Sequence, residues 1–237
     1  MKYRMFVLSA ACLIASCVVI KLNRDLLEVR TNEFEMAPGS ELSFYNTNGD
    51  LEVAEWESDF ILIETSIYGD SGRGIPEGLD IRFDEFEDHL SATVDYPGRN
   101  IFSSVDFSVK IPFDMEYTVN QTTTNGETLI IGAVFANVET TNGDIHVEVL
   151  SSHSLTTTNG DITALLYRQN DVVTVETTNG DILIELPDLI GINVKTRNGD
   201  IVVEGVKMDD DVFIDGDWIA RIETTNGDIC VTRTNAF

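Results

Sequence analysis

Sulfur, proline and positive charge are all scarce in this 237-residue chain, which has 3 cysteines, 5 prolines and 15 lysines plus arginines. Cysteines at positions 12, 17 and 230 supply no disulfide framework, so packing and backbone pairing must hold the fold. The few histidines, His89, His146 and His153, lack the spacing of a zinc site. Against so few cations stand 41 acidic side chains, a formal charge of -26 that repels phosphate backbones and argues against nucleic-acid binding. No helical periodicity stands out beyond the first 20 residues. What is present is a 43% hydrophobic content, enough for a buried core and too much for a disordered acidic tail.

The N-terminus has the layout of an export signal, with Lys2 and Arg4 ahead of the apolar run Met5 to Ala15. Ile14-Ala15-Ser16-Cys17 resembles a bacterial lipobox. That resemblance implies a signal peptide over 1–16, lipidation at Cys17 and a membrane anchor, with Val18 pointing to outer-membrane sorting. Cleavage without lipidation and an uncleaved anchor are the competing readings. The stretch from Met5 to Ile20 is shorter than the roughly 20 residues a spanning helix needs.

One turn recurs along the chain: Asn48-Gly49, Asn125-Gly126, Asn142-Gly143, Asn159-Gly160, Asn179-Gly180, Asn198-Gly199 and Asn226-Gly227. An acidic residue follows each Gly, with Glu127 alone replacing Asp, and Thr stands two before it except at Arg197. Asn-Gly is the pair that most readily takes the positive φ of a tight turn between strands, so the motif reads strand, turn, strand. Flanking positions fix the register. Five before the Gly stand Phe44, Gln121, Val138, Leu155, Val175, Val194 and Ile222; two after it stand Leu51, Thr128, Ile145, Ile162, Ile182, Ile201 and Ile229. Together with Val53, Ile130, Val147, Ala164, Ile184, Val203 and Val231 they give a period-two inward face.

From Gly126 the turns are spaced by 17, 17, 20, 19 and 28 residues, the mark of one solenoid coil per repeat. The expected fold is therefore all-β, a parallel β-solenoid (β-helix), with a right hand because parallel crossovers are overwhelmingly right-handed. Residues 17–38 read as a tether, 39–118 as a strand-rich N-terminal part or cap, and 119–237 as the regular solenoid. Around Asp215-Gly216, the apolar segment from Val212 to Ile219 reads as a hairpin covering the last coil.

The signature Thr-x-Asn-Gly-Asp-Ile, with Asn48-Gly49-Asp50-Leu51-Glu52-Val53 before Trp56 and Ser104-Val105-Asp106-Phe107 before Ile111-Pro112, resembles a bacterial adhesin-type family of unknown function, the DUF4097 family. The resemblance covers most of residues 41–234 and implies a β-solenoid with an adhesin's architecture.

Candidate sites follow from stacking. Asn142, Gly143, Asn159, Gly160, Asn179, Gly180, Asn198, Gly199, Asn226 and Gly227 are structural turn residues. Asp144, Asp161, Asp181, Asp200 and Asp228 would form a carboxylate ladder about 4.8 Å apart, held by turn amides or by calcium. The run Asp209-Asp210-Asp211 reads as a solvated loop. Lys195, Arg197, Arg168 and Arg221 are the only bases that a polysaccharide-processing enzyme could use, and nothing in the sequence ties them to one acidic cluster. Three after the Gly, several of the outward residues Leu129, His146, Thr163, Leu183, Val202 and Cys230 are apolar where water is expected, which reads either as a partner surface or as a face covered by the N-terminal region. The expected function is a non-catalytic envelope lipoprotein binding protein or glycan without a cofactor; the alternative is a calcium-stabilised or glycan-processing envelope protein.

Overall fold

A computed structural model describes residues 25–98, 103–113, 115–168, 172–187, 191–208, 211–216 and 220–234. Cys17 and the expected export signal lie outside them. The described residues form strands and turns and contain no helix.

The repeats build a β-solenoid-like stack in which each Asn-Gly corner joins two strands. Before the corner lie β2 (Glu41–Tyr45), β8 (Tyr117–Thr122), the second half of β9 (Thr128–Glu139), β11 (Ser154–Thr156), β13 (Val173–Asn179), β15 (Ile192–Asn198) and β19 (Ala220–Asn226). After it lie β3 (Leu51–Trp56), the first half of β9, β10 (Ile145–Ser151), β12 (Ile162–Leu166), β14 (Ile182–Leu186), β16 (Ile201–Val203) and β20 (Ile229–Arg233). β9 serves two coils because it bends at Gly132, whose φ is 151°.

Coils pair in parallel and in register. Ile145 lies beside Ile162, Ile162 beside Ile182, Ile182 beside Ile229, and Ile229 beside Ile201. Each of these side chains is at most 1% exposed, and the flanking Val and Leu columns are buried with them. A coil alone leaves these aliphatics in water, and fully burying one contributes about 1.5–3 kcal/mol, so the core exists only through stacking.

The order of coils departs from the order of the sequence at both ends. β19/β20 sits between β13/β14 and β15/β16, so the final repeat is the penultimate level. At the other end, β6 (His89–Asp95) and β7 (Ser104–Pro112) form the outermost coil, and β2/β3 lies between it and β8/β9. Antiparallel strands then close the open edges: β4 (Ile61–Gly69) on β7 and β5 (Asp80–Phe86) on β6, with β17 (Val206–Met208) on β16 and β18 (Asp211–Ile214) on β15. Read inward from β2 at one end and from β20 at the other, the chain lays down a middle coil, then the cap strands, then the outer coil. Each end repeat is thereby held on both sides instead of fraying at an edge.

One expectation needs correction. Residues 25–34, read as tether, form β1 (Asp25–Phe34), which runs antiparallel along β4 from Asp25↔Gly69 to Phe34↔Ile61. Its mixed-charge sequence hides this because no residue of β1 is fully buried. A hairpin with its turn at Glu204 and Gly205, φ 51° and 74°, pairs β17 with β16, while β18, the first arm of the hairpin expected around Asp215-Gly216, lies antiparallel on β15 of the outer coil; residues 217–219 of that hairpin lie outside the described residues. The strand-rich N-terminal part, expected as a part or cap of the solenoid, supplies both, contributing two coils as well as the cap strands.

The Asn-Gly corners also differ from the expected turn. Strands on the two sides of a corner do not pair with each other, and only Gly49 and Gly227 of the seven repeat glycines adopt left-handed φ, at 133° and 154°. Glycine is required for another reason. A Cβ at Gly143 would lie 1.9 Å from the Gly126 carbonyl oxygen, and one at Gly160 would lie 2.1 Å from that of Gly143. Backbones stack too closely at the corner to admit any side chain.

Candidate functional site

Polar side chains on the stack divide into those occupied by neighbouring coils and those left facing water. The corner asparagines belong to the first set. Each Nδ2 donates to the Oδ1 of the next: Asn125 to Asn48 at 2.7 Å, Asn142 to Asn125 and Asn159 to Asn142 at 2.9 Å, then Asn179 to Asn159, Asn226 to Asn179 and Asn198 to Asn226 at 2.8 Å. An amide carries both donor and acceptor, so only Asn can propagate such a ladder at this length.

The aspartates accept backbone N–H groups from the next coil. Asp144 Oδ1 accepts from Asp161 and Asp161 Oδ1 from Asp181 at 2.8 Å; Asp181 accepts from Asp228 and Asp228 from Asp200 at 2.7 Å. These bonds offset the like-charge repulsion of stacked carboxylates. Glu127 interrupts the series: its N–H donates to Asp50, but no such bond joins its longer side chain to Asp144. Among the described residues, no group of three or more His, Cys, Asp or Glu is placed to hold a metal ion. His146 lies 3.4 Å from Glu148, and Asp211 lies in β18, while Asp209 and Asp210 are outside the described residues.

Inward threonines lock the corner from beneath. The hydroxyls of Thr157, Thr177 and Thr224 donate to the carbonyls of Gly143, Gly160 and Gly180 at 3.0–3.1 Å.

Alternating outward positions form the second set. Thr141, Thr158, Thr178, Thr225 and Arg197 make one bank of a groove of about 630 Å³, and Glu139, Thr156, Glu176, Glu223 and Lys195 make the other. Register places the second bank in the order Glu139, Thr156, Glu176, Glu223, Lys195. Arg221 reaches Glu223 at 2.9 Å and Glu176 at 3.6 Å, which relieves the one pair of adjacent like charges. Of the four basic residues singled out in the sequence, three therefore gather here, and Arg168 pairs elsewhere with Glu116 at 2.7 Å. The groove was not anticipated. Its signal was the Thr that stands two before six of the seven repeat glycines.

The opposite face carries the outward strip. Leu183 is 44% exposed, and Leu129, His146, Thr163, Val202 and Cys230 are half-buried, with no described segment laid over Leu183. At its N-terminal end a second groove of about 560 Å³ runs past Glu52, Glu64, Tyr68, Asp106 and Leu129.

The profile of the family described as Toastrack DUF4097 matches residues 116–235, half of the chain. The chain belongs to the DUF4097 family. This DUF4097 protein is similar in structure to a candidate cell adhesion protein from Clostridium sporogenes ATCC 15579, at 12% identity and a TM-score of 0.43, covering 87% of this chain and 100% of that one. It is also similar to candidate adhesins from Bacteroides fragilis NCTC 9343 (12% identity, TM-score 0.40) and Parabacteroides distasonis ATCC 8503 (9%, 0.41), each covering 87% of this chain and 97% of the other. No curated protein matches the chain.

Proposed function

We propose that this DUF4097 protein is an exported envelope module that binds a protein or glycan partner and performs no chemistry of its own. The observation that carries this reading is the division of labour among its polar side chains. Asn, Asp and inward Thr are occupied in holding coil to coil, whereas a row of Thr, Glu, Lys and Arg is displayed on a frame whose spacing the backbone fixes. Such a frame presents side chains at low entropic cost, which favours binding.

Lipidation of Cys17 would hold the module at the outer membrane. Residues 18 to 24 separate that cysteine from β1, a reach of at most about 25 Å, so the capped N-terminal end would sit next to the lipid. We assign the coils a right hand on the general preference of parallel crossovers. The acidic surface disfavours anionic partners.

Mass spectrometry of the mature protein is expected to show a diacylated Cys17; an unmodified cysteine would remove the anchor from this reading. With the anchored protein as bait in envelope extracts, a specific protein or polysaccharide is expected to be retained. Turnover of a polysaccharide by the purified protein would replace the binding role with a catalytic one.

A further inference from the structure

The threonine-banked groove differs from the rest of the surface in two ways. It is locally balanced in charge, with Glu139, Glu176 and Glu223 against Lys195, Arg197 and Arg221, on a chain whose formal charge is -26. Its side-chain polar groups are also free of intramolecular bonds: the hydroxyls of Thr141, Thr156, Thr158, Thr178 and Thr225 and the side-chain nitrogens of Lys195 and Arg197 make no hydrogen bond or ion pair among the described residues.

Within the binding role proposed above, on which this inference rests, we propose that the groove takes one strand of a neutral, extended polysaccharide lying along the solenoid axis. Each coil presents the same pair of outward positions, repeated about every 4.8 Å. A 1,4-linked sugar chain advances by close to one such spacing per ring, so successive rings meet successive hydroxyls and carboxylates. Hydroxyl and carboxylate oxygens accept from sugar hydroxyls, and Lys195 and Arg197 donate to ring and hydroxyl oxygens at the C-terminal end. Balanced charge removes any drive to collect a polyanion or a polycation. No aromatic side chain lines the groove, so binding per ring is weak and accumulates along the ligand.

Five coils span roughly 19 Å, which sets a length dependence: affinity should rise with each added sugar up to about five and then level. The test uses the full chain in detergent, titrated calorimetrically with cello-, malto- and manno-oligosaccharides of increasing length. Alginate and polylysine serve as charged comparators. At least one neutral series is expected to bind with the stated plateau. T158V/T178V is expected to weaken it at least tenfold, with T158S/T178S retaining most of the affinity and T163V, on the opposite face, leaving it unchanged. All three substituted positions, 158, 163 and 178, face outward, so melting temperatures should stay with the parent.

Saccharide binding that T158V/T178V does not affect, or that T163V weakens equally, would overturn the groove and leave the binding role intact. Capture of a protein from envelope extracts, with every neutral series silent, would overturn the polysaccharide and likewise leave that role intact. Silence in both assays would remove both proposals.

Discussion

Inside the coil that carries Asn125, the Thr128 hydroxyl donates to the Gln121 side-chain oxygen, and the two residues are 2% and 4% exposed. These are the only polar residues at their two inward positions across seven repeats, and they occupy the same coil. A buried polar group is tolerated where its partner is supplied with it. Gln121→Leu alone should cost about 1–3 kcal/mol by stranding the hydroxyl, whereas Gln121→Leu with Thr128→Ile should lie near the parent or above it. A double-mutant cycle from urea melts reads the coupling. Additive losses would deny that the pair acts as a unit.

The interruption at Glu127 suggests a stabilising change. Glu127→Asp shortens the side chain to the length that accepts the next coil's N–H in the other repeats, and should restore a bond to Asp144. The site is exposed, so the gain should be about 0.5–1 kcal/mol, visible as a raised denaturation midpoint with an unchanged m-value. A midpoint at or below that of the parent would show that the missing bond has another cause.

Glycine's role at the corners separates two mechanisms. Gly160 is excluded from carrying a Cβ by the Gly143 carbonyl 2.1 Å away, whereas Gly39 has φ of 88° and open space around it. Gly39→Ala should therefore cost about 1–2 kcal/mol, the conformational penalty alone. Gly160→Ala should cost more than about 3 kcal/mol by parting adjacent coils, with hydrogen exchange accelerated on both sides of the corner. Equal losses at the two positions would place the demand in φ after all.

Coil order can be read chemically through Cys230, which lies in register with Leu183 on one side and Val202 on the other. Leu183→Cys and Val202→Cys should each form an intramolecular bridge to Cys230 with a short thiol cross-linker such as dibromobimane. In a chain stacked in sequence order, position 183 would instead adjoin position 202, and only the Val202→Cys variant would cross-link efficiently. That outcome would refute the inserted final coil.

Much of the interior was legible beforehand. Ile145, Ile162 and Ile182 share a column because equal spacing from an Asn-Gly corner forces equivalent residues onto one face, and hydrophobic burial then selects that face. Strand β1 was not legible, since its residues are only partly covered and alternate weakly. Nor was the groove, because outward threonines carry no burial signal and their significance depends on which neighbours leave them unoccupied.

The amino-acid order by itself determined the corner motif, the inward columns and the all-β character, since these arise from local period and turn chemistry repeated at a fixed distance. Tertiary structure alone decided which coil lies on which. All corners but the one with Glu127 offer their neighbours the same Asn, Asp and Gly contacts, so the ladders would be satisfied in many orders. The non-repeating strands β4, β5, β17 and β18, which close the edges, single out one of them.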